Sequence, residues 1–174
     1  MNVLDHLKSY SVDDIKTIYK SNAIEAGAAM MHVSGDFNLS TLIRNSNFFG
    51  FKEACYVGMR QWDRRGAVGT HNYINLNHFR TEDDFISYIR SNDYTLIGVE
   101  NNIPAYSNKT HSVYDEGVFN VKKPMFIFGE ERAGLSTHML DNCDMIFTIP
   151  AFGSVRSLNV GTASGIIMSM YRMN

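Results

Sequence analysis

The 174-residue chain has little of what braces extracellular proteins, builds metal centres or anchors a chain in a bilayer. Its 2 cysteines, Cys55 and Cys143, lie far apart with no CxxC spacing. That excludes a disulfide framework and a thiolate zinc site, and points to a reducing compartment. The 6 histidines form no HExxH and no i,i+4 pair, so no metal is expected. No apolar run approaches the ~20 residues that span a bilayer. The N-terminal MNVLDHLKSYSVDD lacks the basic and apolar regions of a secretory signal, and a cytoplasmic location without membrane contact is expected. Charge of one sign is also missing: 16 basic against 18 acidic residues leave a net −2. A nucleic-acid partner would therefore need a local basic patch rather than a basic protein. Neither GxGxxG nor GK[ST] occurs, which excludes the common phosphate-cradling loops.

What is present is globular: 44% hydrophobic and 20% charged residues, enough for one domain burying about 70% of its unfolded surface. Residues 1–174 read as a single domain, with 1–25 as a short N-terminal helical segment. Ser11 followed by Asp14 forms a capping box ahead of Ile15, Ile18 and Tyr19. Short apolar runs at Ala28–Val33, Ala54–Gly58, Thr95–Val99, Met125–Phe128 and Met145–Ile149 read as strands. Several are continuously apolar, as strands of a parallel sheet covered on both faces are. Helical patterns fall between them at Leu39–Phe49, Thr81–Ser91, Ser136–Asn142 and Val160–Met173. The fold class is α/β, a parallel sheet flanked by helices.

Three polar interruptions break this pattern. In NLSTLIRNSNFFG, Asn38 to Gly50, helical periodicity turns Arg44 away from the Leu39, Leu42, Ile43 stripe. Arg44 is then either a solvated surface arginine or one presented at the strand-to-helix edge where ligands bind. Asn38 is either a helix cap or a site residue. In FIFGEERAGLS, Phe126 to Ser136, a buried strand enters a turn with Gly129, Glu130, Glu131 and Gly134, which is an acidic surface turn or a hydroxyl-binding one. Glycines there allow close backbone approach to a ligand or a positive φ. In IPAFGSVRSLNVGTASG, from Ile149, Ser157 and Asn159 share one side of an extended chain with Leu158 facing the other as a pocket floor. Alternatively one of the two polar residues caps the last helix.

Together the three segments resemble the SpoU/TrmH family of the SPOUT superfamily, RNA ribose 2′-O-methyltransferases that use S-adenosylmethionine. The first is similar to that family's N-x5-R-(N/S)-A-x2-FG motif at Asn38, Arg44, Phe49 and Gly50. The second is similar to G-x-E-x2-GLS at Gly129, Glu131, Gly134, Leu135 and Ser136. The third is similar to IP-x2-G-x2-(S)-LNVS at Ile149, Pro150, Gly153, Ser157, Leu158, Asn159 and Val160. The resemblance implies a parallel sheet with a C-terminal trefoil knot and a homodimer. It implies a cofactor site at Val99, Glu100, Phe128, Gly129, Ile149, Gly153, Ser157, Leu158 and Asn159. It further implies that Arg44, Asn38, Glu131, Ser157 and Asn159 carry catalysis on transfer or ribosomal RNA.

Two departures stand out. Gly161 occupies a position where the family has serine, and Ala151 one where it has methionine. The basic helical extensions of many members on transfer RNA are not seen, so no separate RNA-binding domain is expected. RNA contact is instead expected at Arg60, Trp62, Arg64, Arg65 and His71, where cationic and aromatic side chains alternate, and at Lys109. A solvated loop anchored by Trp62 is the simpler reading of the same residues. A catalytically idle RNA-binding partner subunit, or a small-molecule enzyme on a flavodoxin-like sheet, are the competing functional classes.

Overall fold

A computed structural model describes residues 3–32 and 37–174. Seven parallel strands form one sheet in the order β3-β2-β1-β6-β4-β7-β5. They are β1 (Ile24–His32), β2 (Phe51–Gly58), β3 (Asn75–Phe79), β4 (Thr95–Val99), β5 (Thr110–Ser112), β6 (Pro124–Phe128) and β7 (Met145–Thr148). The α-helices among the described residues are α1 (Val12–Asn22), α2 (Asn38–Phe48), α3 (Glu82–Ser91), α4 (Thr137–Asn142) and α5 (Val160–Met173).

The middles of the central strands are largely apolar because both faces are covered. On one face Ala28, Met30, Phe51, Phe126 and Phe147 pack with Leu39, Leu42 and Ile43 of α2 and Ile167 and Met168 of α5. On the other, Ala29, Val57, Leu96, Met125 and Ile127 pack with Phe85 and Ile89 of α3 and Met139 and Leu140 of α4. Helix starts follow side-chain chemistry. Ser11 and Asp14 close their capping box, Thr81 Oγ1 accepts from Asp84 N at 3.1 Å, and Ser136 Oγ accepts from Met139 N at 2.9 Å.

Strands β1 and β2 begin earlier than their apolar runs. Pairing starts at Ile24 and Phe51 and passes an irregularity before Gly27, beside which the Glu25 and Lys52 side chains pair at 2.7 Å. The expected strand end at Val33 lies outside the described residues. Strands β3 and β5 were not legible as apolar runs: NLNHF and THS are sheet edges, held by pairing to β2 and β7 rather than by their own hydrophobicity. Because every strand is parallel, the segments after β1, β2, β4, β6 and β7 emerge at one edge, the carboxyl edge of the sheet.

Candidate active site

At that edge Phe37 caps α2 without a side-chain hydrogen bond, and the Asn38 side chain reaches across to other segments. Asn38 Nδ2 donates to Glu131 Oε2 at 3.0 Å, and Asn159 Nδ2 donates to Asn38 Oδ1 at 2.8 Å. One amide, only 6% exposed, thus ties together the segments after β1, β6 and β7. Asn159 also caps α5, its Oδ1 accepting from Thr162 N at 3.3 Å. Asn159 is thus a helix cap that also bonds Asn38, and the two readings of this position are not exclusive.

Beside this network lies a cavity of about 400 Å³, walled by Val99–Ile103, Phe128–Leu135, Ile149, Arg156–Leu158, Val160 and Ala163. Val99, Glu100, Phe128, Gly129, Ile149, Ser157 and Leu158 therefore stand where a bound cofactor was expected. Gly153 borders an adjoining cavity of about 220 Å³ instead, with Phe152 and Val155. Asn159 is not in the wall but bonded behind it. Leu158 is 43% exposed, so it is a rim rather than a buried floor.

The loops around the cavity are fastened to one another. Glu100 accepts from Asn101 N at 3.0 Å and from Leu135 N at 2.9 Å. The Asn101 amide pairs with both backbone groups of Ile149, donating to its carbonyl at 3.0 Å and accepting from its N–H at 3.1 Å. This adds a side-chain rung between β4 and β7 where main-chain pairing ends. Gly134 has φ +69, and a Cβ there would meet Glu100 Oε2 at 2.5 Å. The space that a side chain at Gly129 would fill is taken by the backbone of Gly134 and Leu135. Only glycine fits at 129, where the turn folds back against the strand end, and its backbone borders the cavity.

The sequence matches the SpoU rRNA Methylase family over residues 28–169, the span that holds all three converging segments. The chain belongs to that family. It is 25% identical over 134 residues to a tRNA (guanosine(18)-2′-O)-methyltransferase of Borreliella burgdorferi, covering 75% of this chain and 58% of the relative. The chain thus spans less than three-fifths of that relative's length. The crystal structure of the A. aeolicus TrmH/SpoU tRNA modifying enzyme matches with a TM-score of 0.75 at 16% identity, over 93% of this chain and 81% of that one. An AdoMet-bound rRNA methyltransferase from Sinorhizobium meliloti matches at 0.72 and 20% identity, over 91% and 59% respectively. These likenesses show a shared fold.

Among the remaining SpoU-motif residues, Arg44 is exposed on α2, turned from the apolar stripe as its spacing predicts. It has no hydrogen-bond or ion-pair partner among the described residues, and it lies outside the cavity wall. Ser157 lines both cavities and is exposed.

The basic segment after β2 shares the carboxyl edge and packs on the start of α2, where the Ser40 hydroxyl donates to the Asp63 carbonyl. Its cations are not all free. Arg65 pairs with Asp63 and lies 5.6 Å from the Phe37 ring centre, and Arg64 stands 5.9 Å over Trp62. Trp62 meets His71 edge to face at 5.5 Å. Burial, and next the Arg64 charge, lower the His71 pKa below the usual histidine value. Trp62 is partly buried against the core, with Arg64 over one face.

Lys109 does not join this edge. It precedes β5, at the amino edge, and its ammonium donates to the carbonyls of Leu140, Asp141 and Cys143 at 2.7, 3.2 and 2.9 Å. With its donors satisfied at the end of α4, it serves the fold, and the RNA contact expected of it is withdrawn.

Gly161 has a packing reason. A Cβ there would approach Thr41 Cγ2 at 2.7 Å across the α2–α5 contact, while Asn45 Nδ2 donates to the Gly161 carbonyl at 3.0 Å. Gly161→Ser is expected to lower stability by about 1–3 kcal/mol through overpacking. Thr41→Ala in the same chain should restore most of that loss. Denaturant unfolding of the two single variants and the double variant measures the coupling; additive effects would refute the steric account.

Asn101, Arg132 and Arg156 are cavity residues that sequence reasoning passed over. The Asn-Asn pair closely following the strand-like run that ends at Val99 was the available signal for the first.

Proposed function

We propose that this chain is an S-adenosylmethionine-dependent methyltransferase that modifies a ribose 2′-hydroxyl in transfer or ribosomal RNA. The observation that carries the proposal is the Asn38 amide, which bonds Glu131 and Asn159 from two other family segments beside the cavity. A catalytically idle subunit has no need to hold that network.

The cavity fits the cofactor in size and chemistry. At about 400 Å³ it lies within the ~300–1,000 Å³ of small-molecule sites. Apolar Val99, Phe128, Ile149 and Leu158 alternate in its wall with backbone groups and carboxylates. Val99, Glu100, Phe128, Ile149, Ser157 and Leu158 would hold the cofactor, with Gly129 shaping the turn and Gly153 at the adjoining cavity. Bound there, S-adenosylmethionine supplies an electrophilic methyl group on a sulfonium.

The chain's residues supply the rest. A ribose hydroxyl is a weak nucleophile and must be aligned while its proton leaves. An arginine stays protonated and is no free base. Arg44 instead grips the phosphate beside the target ribose and stabilises developing alkoxide charge, the proton passing to a phosphate oxygen or to water. Asn38 and Asn159 hold Glu131 in one orientation, and Ser157 faces the ribose.

RNA reaches the site along the carboxyl edge, over Arg60, Arg64 and His71 and the start of α2. Charge reversal at Arg64 together with Arg65 should weaken RNA binding and flatten its salt dependence. A filter-binding titration at several salt concentrations reads this, and an unchanged slope would place the track elsewhere.

The chain acts as a homodimer in the cytoplasm, as one domain whose loops provide the RNA grip. Apolar Phe48 and Met173, 80% and 84% exposed, support a covering partner. Among the described residues no helix is long and apolar enough to cross a membrane. The resemblance implies a threaded C-terminal passage, and Asn101 and Asn102 bond the segment after β7 that would make it. Calorimetric titration with S-adenosylmethionine tests the reading: one binding site per chain is expected, and the absence of heat would contradict it.

A further inference from the structure

Two arginines at the cavity take no part in methyl transfer as proposed above. Arg132 sits in the turn after β6 and Arg156 in the segment after β7, so they come from two separate loops of the wall. Both are exposed, and neither side chain has a hydrogen-bond or ion-pair partner among the described residues. Their backbones are nevertheless tied down. The turn that carries Arg132 is closed by Gly134 N to the Glu130 carbonyl at 2.8 Å and by Ala133 N to Glu130 Oε2 at 3.0 Å. The Arg156 carbonyl accepts from Asn102 Nδ2 at 3.2 Å.

The same wall carries Glu100, Glu130 and Glu131, a set of charges that repels a polyanion. Each of the three already accepts hydrogen bonds from within the chain: Glu100 from two backbone N–H groups, Glu130 from one, and Glu131 from Asn38. The guanidinium groups are not consumed by them. Elsewhere on the same edge, Arg65 is committed to Asp63, and Arg60 and Arg64 stand outside the cavity wall. Arg132 and Arg156 are thus the cations left at the cavity to meet an external anion. A guanidinium fork matches a phosphate in two-point geometry.

We propose that Arg132 and Arg156 form a two-sided phosphate clasp at the cavity, each binding one phosphodiester of the RNA strand flanking the target ribose. This rests on the RNA methyltransferase reading and adds a substrate contact to it. Fixed loops with free side chains suit such a clasp, because the anchor points are preorganised and the groups that move are the ones that meet the strand.

The test uses the full chain and a short, end-labelled, single-stranded oligoribonucleotide of mixed sequence. Arg132→Gln and Arg156→Gln should each weaken RNA binding about tenfold at low salt, and each should reduce the salt slope by about 0.7. Arg132→Lys and Arg156→Lys should keep the slope. Calorimetric affinity for S-adenosylhomocysteine and thermal melting should stay at wild-type values in all four variants. Unchanged RNA affinity and slope in both Gln variants would overturn the clasp while the wild type still binds RNA. Loss of S-adenosylhomocysteine affinity with RNA binding intact would also overturn it, by placing the guanidinium groups on the cofactor's carboxylate. A wild type that binds no RNA would overturn the underlying reading as well.

Discussion

Replacing Arg44 with alanine is expected to lower methyl transfer at least about a thousandfold, the scale of losing a preorganised donor to developing negative charge. Binding of S-adenosylmethionine should stay near the wild-type value, because Arg44 stands outside the cavity wall on the exposed side of α2. Stability should also hold, since the side chain has no partner among the described residues to lose. Arg44→Lys should recover only part of the rate, a point charge being a poor substitute for a planar fork on phosphate. Single-turnover kinetics with saturating RNA, together with a cofactor titration, separate these effects. Near-normal turnover in Arg44→Ala would remove Arg44 from the mechanism.

The second large effect is expected at Asn38. Its amide is buried and satisfied at both ends, so Asn38→Ala strands a donor on Asn159 and an acceptor on Glu131. Both partners are exposed and can turn to water, so the loss is that of ordinary hydrogen bonds, about 0.5–1.5 kcal/mol each. The larger loss should be in rate: three loops would lose their common register, and misplacement on the scale of 1 Å costs about 10²-fold. Asn38→Asp is the sharper probe. It sets a second carboxylate against Glu131 Oε2, at the position of a bond that is 3.0 Å in the native chain. Like charges at that distance resist joint ionisation, so one of the pair should retain a proton to higher pH than an ordinary carboxyl. Thermal stability of the variant should therefore rise as pH falls from neutrality toward the carboxylate range. A pH-independent deficit would show that the amide's shape, and not its charge pattern, is what matters.

The two positions also show what could be read from the sequence and what could not. Helical spacing placed Arg44 away from Leu39, Leu42 and Ile43, because period and polarity are local properties. The caps at Ser11, Thr81 and Ser136 were legible for the same reason. Asn38 was not resolvable between cap and site, since its partners lie 93 and 121 residues away in sequence. Resemblance to a family bridged that gap by naming the partner segments together. Charge alone misled where a residue's job is set by its neighbours: Lys109, read as an RNA contact, closes the end of α4. Strands β3 and β5 were illegible because an edge strand borrows its conformation from the strand it pairs with. Gly161 read as a missing hydroxyl, yet Thr41 occupies the space a side chain would need.

The central claim is methyl transfer to a ribose hydroxyl at the site built around Asn38, Glu131 and Asn159. It is tested most directly by incubating the full chain with methyl-tritiated S-adenosylmethionine and unmodified total RNA, then hydrolysing the RNA in alkali. A 2′-O-methyl group blocks cleavage at the following phosphodiester, so label is expected in alkali-resistant dinucleotides, with none in the Asn38→Ala or Arg44→Ala reactions above a small residual. Label released in mononucleotides, which marks base methylation, or no label in any RNA, would contradict it.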